Sequence, residues 1–404
     1  MLQKVSIQNF KSLKDVTLEL QKVNLLIGPN NSGKSNFLKA LEKIKRLVFD
    51  YSKFLEKVEL SSNLTIFEIS NIDLIINKND FFLKKKKENM IFECIISNYS
   101  ENGHLYSSLF ELTNKLVAYV NTNAEYFSLP MKDVKWSKNE FWTNNIIDEE
   151  DSLSHDIRVS NYLQTFLENT EIYKPDPNKL QKPFPILPNQ SLVNNDASNL
   201  IAFLDTIRDE YPENFKAIEN DLNKCIPELS GLRFENVEIK KDDDLFKIYG
   251  DKTFKRLGLY DKNNKLTYWA DELSEGTLYF LALLCIVHQP NPPKLLLLEE
   301  PEKGIHPRRI REVLDFIFQL AEDKDIQVIM TTHSERVLDE FEDIPEAVFI
   351  FDKDEEGATQ VKNLLRDIIE PSNKLMEENN APKIKFTESL GSHWVTGFIG
   401  GVPK

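Results

Sequence analysis

Cysteine, glycine and histidine are scarce in this sequence, and it contains no long apolar run. The three cysteines, Cys94, Cys225 and Cys285, lie far apart. They have neither the spacing of metal ligands nor the density of a disulfide framework, so a disulfide-stapled secreted domain is excluded. No stretch approaches the ~18 consecutive apolar residues that a membrane helix needs. The opening MLQKVSIQNFKS lacks the apolar core of a signal peptide. The expected location is a reducing cytoplasm, away from membranes. Basic residues are outnumbered, 50 Lys and Arg against 65 Asp and Glu, for a formal net charge of −15. Such a field repels nucleic acid at long range, so any contact with it needs a local patch. Only 13 of 404 residues are glycine, about half the usual frequency. Gly28, Gly33, Gly276 and Gly304 fall in motifs, and Gly391, Gly397, Gly400 and Gly401 crowd the last stretch.

What is present suits a folded protein. Hydrophobic residues make up 41% and charged residues 28%, enough for a large core in two or three domains of ~100–200 residues. Val5–Phe10 and 16–20 alternate as strands do, and Val23–Ile27 is a buried strand running into glycine. After Lys34, apolar residues at Leu38, Leu41, Ile44, Val48, Tyr51, Leu55 and Val58 predict one long amphipathic helix. The first part, 1–60, is followed by a stretch of different character over 61–230, read as an inserted α+β lobe. Within it Pro175, Pro177, Pro183, Pro185 and Pro188 read as an extended connector, and 199–210 and 213–224 as helices. Strands are expected at 232–240, 245–249, 254–260 and 265–269. A helix near Gly276, a strand at 295–298, a helix after Pro307 and strands at 326–331 and 347–351 complete the part 231–404. The fold class is α/β, and no heptad run is long enough for a coiled-coil arm.

The strongest motif is Gly28-Pro29-Asn30-Asn31-Ser32-Gly33-Lys34-Ser35, a G-x-x-x-x-G-K-S run between a strand and a helix. Its glycines let backbone N–H groups close around phosphates, and the helix N-terminus adds partial positive charge. Lys34 is read as the bridge to the terminal phosphates of ATP, and Ser35 as a hydroxyl ligand of Mg2+. Gly28, Asn30, Asn31, Ser32, Gly33 and Asn36 complete the predicted nucleotide-binding set. The second motif is Leu295-Leu296-Leu297-Leu298-Glu299-Glu300-Pro301. A doubly buried strand there delivers two carboxylates at its end, one to hold Mg2+ and the next to orient the attacking water. Leu273-Ser274-Glu275-Gly276-Thr277 opens a helix and, by itself, is an ordinary cap. Thr331-Thr332-His333-Ser334 closes a strand, where a lone histidine is by itself more often structural than catalytic.

The order and spacing of these four motifs resemble the ATP-binding-cassette class. The opening Ile7-Gln8-Asn9-Phe10-Lys11-Ser12 is similar to the non-transporter branch that includes RecF, the SMC proteins and the OLD ATPases. Glu299-Glu300-Pro301-Glu302-Lys303-Gly304-Ile305-His306-Pro307 is most similar to the OLD-like members. The resemblance covers about residues 1–45 and 265–355. It implies an ABC-type ATPase head, a mixed sheet with flanking helices. It also implies a homodimer or higher homo-oligomer in which two heads sandwich two ATP molecules. Ser274 and Gly276 would then touch the γ-phosphate held by the opposite copy, Glu300 would polarise the lytic water, and His333 would contact the γ-phosphate. Glu299, as metal ligand, stands where transporters usually carry Asp. A Q-loop glutamine is implied between Ser35 and Ser274, and Gln190 reads instead as a solvated loop residue.

The function this implies is a slow ATPase acting as sensor or regulator in bacterial anti-phage defence, with a separate nuclease or toxin as effector. About seventy residues follow His333, fewer than a TOPRIM nuclease domain needs. A RecF-like DNA-binding ATPase of repair is the alternative. A transporter's ATPase is disfavoured by the Phe10-Lys11-Ser12 opening and the insert. The lysine run 84–87 reads as a hairpin tip more readily than as a phosphate-binding patch. The acidic run 148–151 reads as exposed loop, and Trp136 and Trp142 as packing of the lobe. The apolar segment around Trp394, Val395, Phe398 and Ile399 is expected to dock, on its own head or on a partner, and to serve assembly rather than the nucleotide site.

Overall fold

The computed structural model describes residues 1–60, 90–97, 105–112, 116–121, 126–130, 164–240, 244–303, 305–379 and 389–402. The lysine run 84–87, Trp136, Trp142, the acidic run 148–151 and Gly304 lie outside the described residues. In chain order come β1 (Leu2–Phe10), β2 (Leu13–Glu19), β3 (Val23–Ile27) and α1 (Lys34–Leu60), then β4 (Met90–Ser97), β5 (Leu105–Leu112), β6 (Leu116–Asn121) and β7 (Tyr126–Pro130). Next are β8 (Ile172–Tyr173), α2 (Pro177–Leu180), β9 (Phe184–Pro185), α3 (Leu200–Glu210), α4 (Pro212–Cys225), β10 (Leu229–Val237) and α5 (Asp244–Tyr249). They lead to β11 (Phe254–Asp261), β12 (Leu266–Trp269), α6 (Glu275–Val287), β13 (Leu295–Glu299) and α7 (Ile310–Asp323). The order closes with β14 (Gln327–Thr331), α8 (Glu335–Asp339), β15 (Val348–Lys353), β16 (Thr359–Asn363), α9 (Glu370–Glu378) and α10 (Leu390–Val395). The chain divides into two compact units, Met1–Thr170 with Gln327–Lys404, and Glu171–Ile326.

The first unit is built on two sheets. One is antiparallel, in the order β2-β1-β4-β5-β6-β7. Its β2 alternates buried Leu13, Val16 and Leu18 with exposed neighbours, as a strand with one wet face must. The other runs β16-β15-β3-β14, with β3 parallel to both neighbours and β16 antiparallel at the edge, so this sheet is mixed. Every residue of β3 is buried. Its one polar member, Asn24, is tolerated because it is satisfied: its amide donates to the carbonyls of Gln21 at 2.8 Å and Val328 at 3.1 Å, and its oxygen accepts from the Gln21 amide at 2.7 Å. The helix predicted after Lys34 is present as α1, and Phe37, Leu38, Leu41 and Ile44 on one stripe are fully buried. Phe37 meets Phe351 of β15 edge-on, with ring centroids 6.2 Å apart.

The second unit pairs β10, β11 and β12 antiparallel, with β9 added on β11, and separately pairs β8 parallel to β13. Residues Thr277 to Val287 of α6 are buried all round, which the run Leu-Tyr-Phe-Leu-Ala-Leu-Leu-Cys-Ile-Val requires. Residues 245–249, expected as a strand, form the helix α5. Five residues are too few for period 2 to be told from period 3.6, and the Asp244–Lys247 pair at 2.9 Å spans one helical turn. The proline stretch, expected as a connector, carries structure of its own. Pro177 starts α2, which Asp176 caps by accepting from the Asn178 amide, and Pro185 lies in β9. No long coiled coil runs through the described residues, and none of their helices is long and apolar enough to cross a membrane.

Candidate functional site

In the first unit the loop 28–33 leaves the C-terminal end of β3 and enters α1. Gly28 has φ of +142° and Gly33 of +116°, both in the region that only glycine adopts without strain. Space excludes a side chain as firmly as conformation does. A Cβ on Gly28 would overlap the carbonyl oxygen of Phe351, and one on Gly33 would overlap the Thr359 hydroxyl. Asn30 and Asn31 are exposed at the tip, Asn31 with φ of +65°, which asparagine tolerates better than most residues. Lys34 is only 5% exposed, and its Nζ donates to the carbonyls of Gly28 at 2.7 Å and Pro29 at 3.0 Å. These backbone acceptors hold the ammonium over the loop, where phosphate oxygens are the stronger acceptors. The Ser32 hydroxyl is buried with no hydrogen-bond partner among the described residues, an arrangement that normally costs ~1–3 kcal/mol.

The loop is braced from behind. The Thr359 hydroxyl donates to the Ser32 carbonyl at 2.8 Å and shares a hydrogen bond with the Ser12 hydroxyl at 2.8 Å. The Thr359 amide donates to the Ser12 carbonyl at 2.7 Å, and the Asn36 amide to the Ser12 hydroxyl at 2.8 Å. Asn36, predicted among the nucleotide-binding residues, thus has its amide group in this brace. The register of β14 on β3 pairs Thr331 with Leu26, so the exposed His333 leaves its strand level with Gly28. Thr332 anchors that exit: its amide donates to the Leu26 carbonyl at 3.2 Å, and its hydroxyl accepts from Ser334 at 2.9 Å.

The segment around Trp394 docks on this same unit. The Gly391 amide donates to Asp339 at 2.7 Å, Trp394 is 7% exposed, and its indole N–H donates to the Gly401 carbonyl at 2.9 Å. A Cβ on Gly401 would come within 3.6 Å of the Gly28 Cα. Of the two docking surfaces expected for this segment, it lies on its own unit, and Gly401 brings backbone against the nucleotide loop. Val395 and Phe398 remain 62% and 53% exposed.

The second unit carries the other motif residues. Ser274 caps α6 by accepting from the Thr277 amide at 3.1 Å, and Gly276 in the first turn faces Ile305. Tyr279 on the same helix is wholly buried, and burial, with the Glu302 carboxylate adding to it, pushes its phenol far above the ordinary range. Glu299 ends β13, and Glu300 follows it with φ of +52°. That left-handed backbone turns the second acid away from the strand direction, at a cost of about 1 kcal/mol or more for a non-glycine residue. Lys174, directly after β8, places Nζ 3.3 Å from Glu299 and 4.0 Å from Glu300. The sequence did not single out Lys174, because a two-residue strand carries no periodic signal. Gln190 accepts from the Asn199 amide at 2.9 Å and is spent on its own loop.

These residues fit a nucleotide with Mg2+. Gly28 and Gly33 leave a cradle that any Cβ would fill, Ser32 has a buried oxygen to spare, and the Ser35 hydroxyl is a hard oxygen donor of the kind Mg2+ prefers.

The family described as "AAA domain, putative AbiEii toxin, Type IV TA system" matches residues 23–339. No curated protein matches the sequence. Among solved structures, the SMC head domain of Thermotoga maritima is similar at 14% identity and a TM-score of 0.45, over 90% of this chain and 98% of that one. The Smc head domain of Pyrococcus furiosus, with an extended coiled coil and bound to the C-terminal domain of ScpA, is similar at 13% identity and a TM-score of 0.48, over 94% of this chain and 99% of that one. Because the family match runs from the start of β3 to the end of α8, well over half of the 404 residues, the chain belongs to the AAA-domain family described as putative AbiEii toxins of type IV toxin–antitoxin systems.

Proposed function

We propose that this chain is an ATP-hydrolysing, ABC-type ATPase of the OLD-like kind. Two copies would pair around two ATP molecules, in a bacterial cytoplasm, as the sensor or regulator of an anti-phage defence system with a separate nuclease or toxin. The observation that carries the ATP reading is the loop 28–33, cramped to bare backbone at both glycines and closed by a buried lysine. The family's description as a putative toxin of a toxin–antitoxin system supports the defence setting.

Each residue has a task in this reading. Backbone N–H groups of the loop and Lys34 Nζ bind and orient the β- and γ-phosphates. Ser35 and Glu299 hold Mg2+, which when bound supplies charge neutralisation on the phosphate oxygens. Glu300 accepts the proton of the attacking water. His333 donates to the γ-phosphate, and Ser274 with the amides at the start of α6 contacts the γ-phosphate of the opposite copy.

Glu300→Gln tests this reading. An amide keeps the shape of the carboxylate but accepts no proton, so hydrolysis should fall by ~10²-fold or more. ATP binding, followed by calorimetry in Mg2+, should persist. Undiminished turnover in the variant, or no ATP binding by the wild-type protein, would overturn the assignment.

A further inference from the structure

Residues 389–401 hold two parts of the first unit at once. One end is tied to α8 and its exit: the Ser389 amide donates to Glu342 at 3.1 Å and the Gly391 amide to Asp339 Oδ1 at 2.7 Å. Gly391 lies so close on α8 that a Cβ there would come 2.7 Å from the Glu335 carbonyl oxygen. Only Ser334 separates Glu335 from His333, so this end grips the chain directly behind the histidine. The other end reaches the nucleotide loop. Gly401 has φ of +68°, and a Cβ there would come 2.7 Å from Ile350 Cγ2 and 3.6 Å from the Gly28 Cα. Between the two ends Leu390, Trp394 and Ile399 are buried, and the Trp394 indole N–H closes the segment on the Gly401 carbonyl at 2.9 Å. The pairing of β14 with β3 joins the same two places, and its last bonds are at Thr331 and Thr332 on Leu26. The segment adds a link where that pairing ends.

We propose that residues 389–401 are a strap that positions His333 relative to the nucleotide loop, with Asp339 and Gly391 as positioning residues. This rests on the ATP reading above, in which His333 meets the γ-phosphate and Gly28 belongs to the loop around the β- and γ-phosphates. The strap fixes the separation of the two, so a triphosphate finds both in place and need not order them. A diphosphate meets the loop alone and gains nothing from the α8 end. Loosening the α8 end therefore weakens ATP and spares ADP, whereas disturbing the Gly401 end moves Gly28 and weakens both.

Calorimetry with ATPγS and with ADP, each in Mg2+, on the full chain and on variants at Asp339, Glu342 and Gly401 tests the proposal. Asp339→Ala removes the acceptor of the Gly391 amide and should weaken ATPγS about fivefold, with ADP held within about twofold. Asp339→Asn keeps an oxygen acceptor in the same place and should restore most of the ATPγS affinity. Glu342→Ala removes the Ser389 tie and should move the ratio of the two affinities in the same direction, which gives a reading even where Asp339→Ala does not fold. Gly401→Ala puts a methyl group on a left-handed backbone beside Gly28 and should weaken both nucleotides. Equal weakening of ATPγS and ADP by the Asp339 and Glu342 variants, or no weakening of either, overturns the proposal and leaves the ATP reading standing. A wild-type protein that binds neither nucleotide overturns the ATP reading and the proposal with it.

Discussion

Thr359 is the side chain on which the nucleotide loop leans. Its hydroxyl joins Ser12 on one side to the Ser32 carbonyl on the other, and the same oxygen fills the space that a Cβ on Gly33 would need. A hydroxyl with two such partners holds backbone more firmly than a methyl can, because both bonds are directional. Thr359→Val should keep the volume and lose both bonds, at ~1–3 kcal/mol by urea unfolding. ATP affinity should fall with it, since loop amides that wander must be reordered by the ligand. Full ATP affinity in a destabilised Thr359→Val protein would show the brace to be structural only. Gly33→Ala is the harsher version, and combines steric overlap with a backbone at φ of +116°.

At the scale of elements, what was legible in the sequence is the strand–loop–helix unit. β3 is a five-residue apolar run broken only by Asn24, the loop follows at once, and α1 declares itself by an apolar stripe that repeats every three or four residues. The acid pair after four leucines was legible for the same reason. Lys174 and Thr359 were not. The first follows a strand of two residues, and the second is an ordinary threonine until β16 pairs antiparallel with β15 beside the loop. Nor was the partner of the Trp394 segment legible, because apolar content demands burial without naming the surface that provides it. The structure places Gly401 against Gly28, and this changes what removing the segment should do. Trp394→Ala should forfeit ~3–5 kcal/mol of burial and cavity free energy locally, and with it the hydrogen bond to Gly401. A lowered ATP affinity, measured by calorimetry below the unfolding temperature, is the expected result. An unchanged affinity would show the segment to be uncoupled from the loop.

At the scale of the whole molecule, a net charge of −15 keeps like copies apart at long range. A pairing that occurs only with ATP therefore needs short-range contacts to the nucleotide itself. Ser274, at the head of α6, and Lys34, at the head of α1, are the residues assigned to opposite sides of that sandwich. The most direct measurement mixes two inactive proteins, Ser274→Arg and Lys34→Ala, after labelled chains have been shown to exchange. A mixed dimer has one site with both residues intact. ATPase activity absent from either protein alone should return in the mixture, to about a quarter of the wild-type rate per chain if pairing is random and sites are independent. Exchange without any return of activity would contradict it.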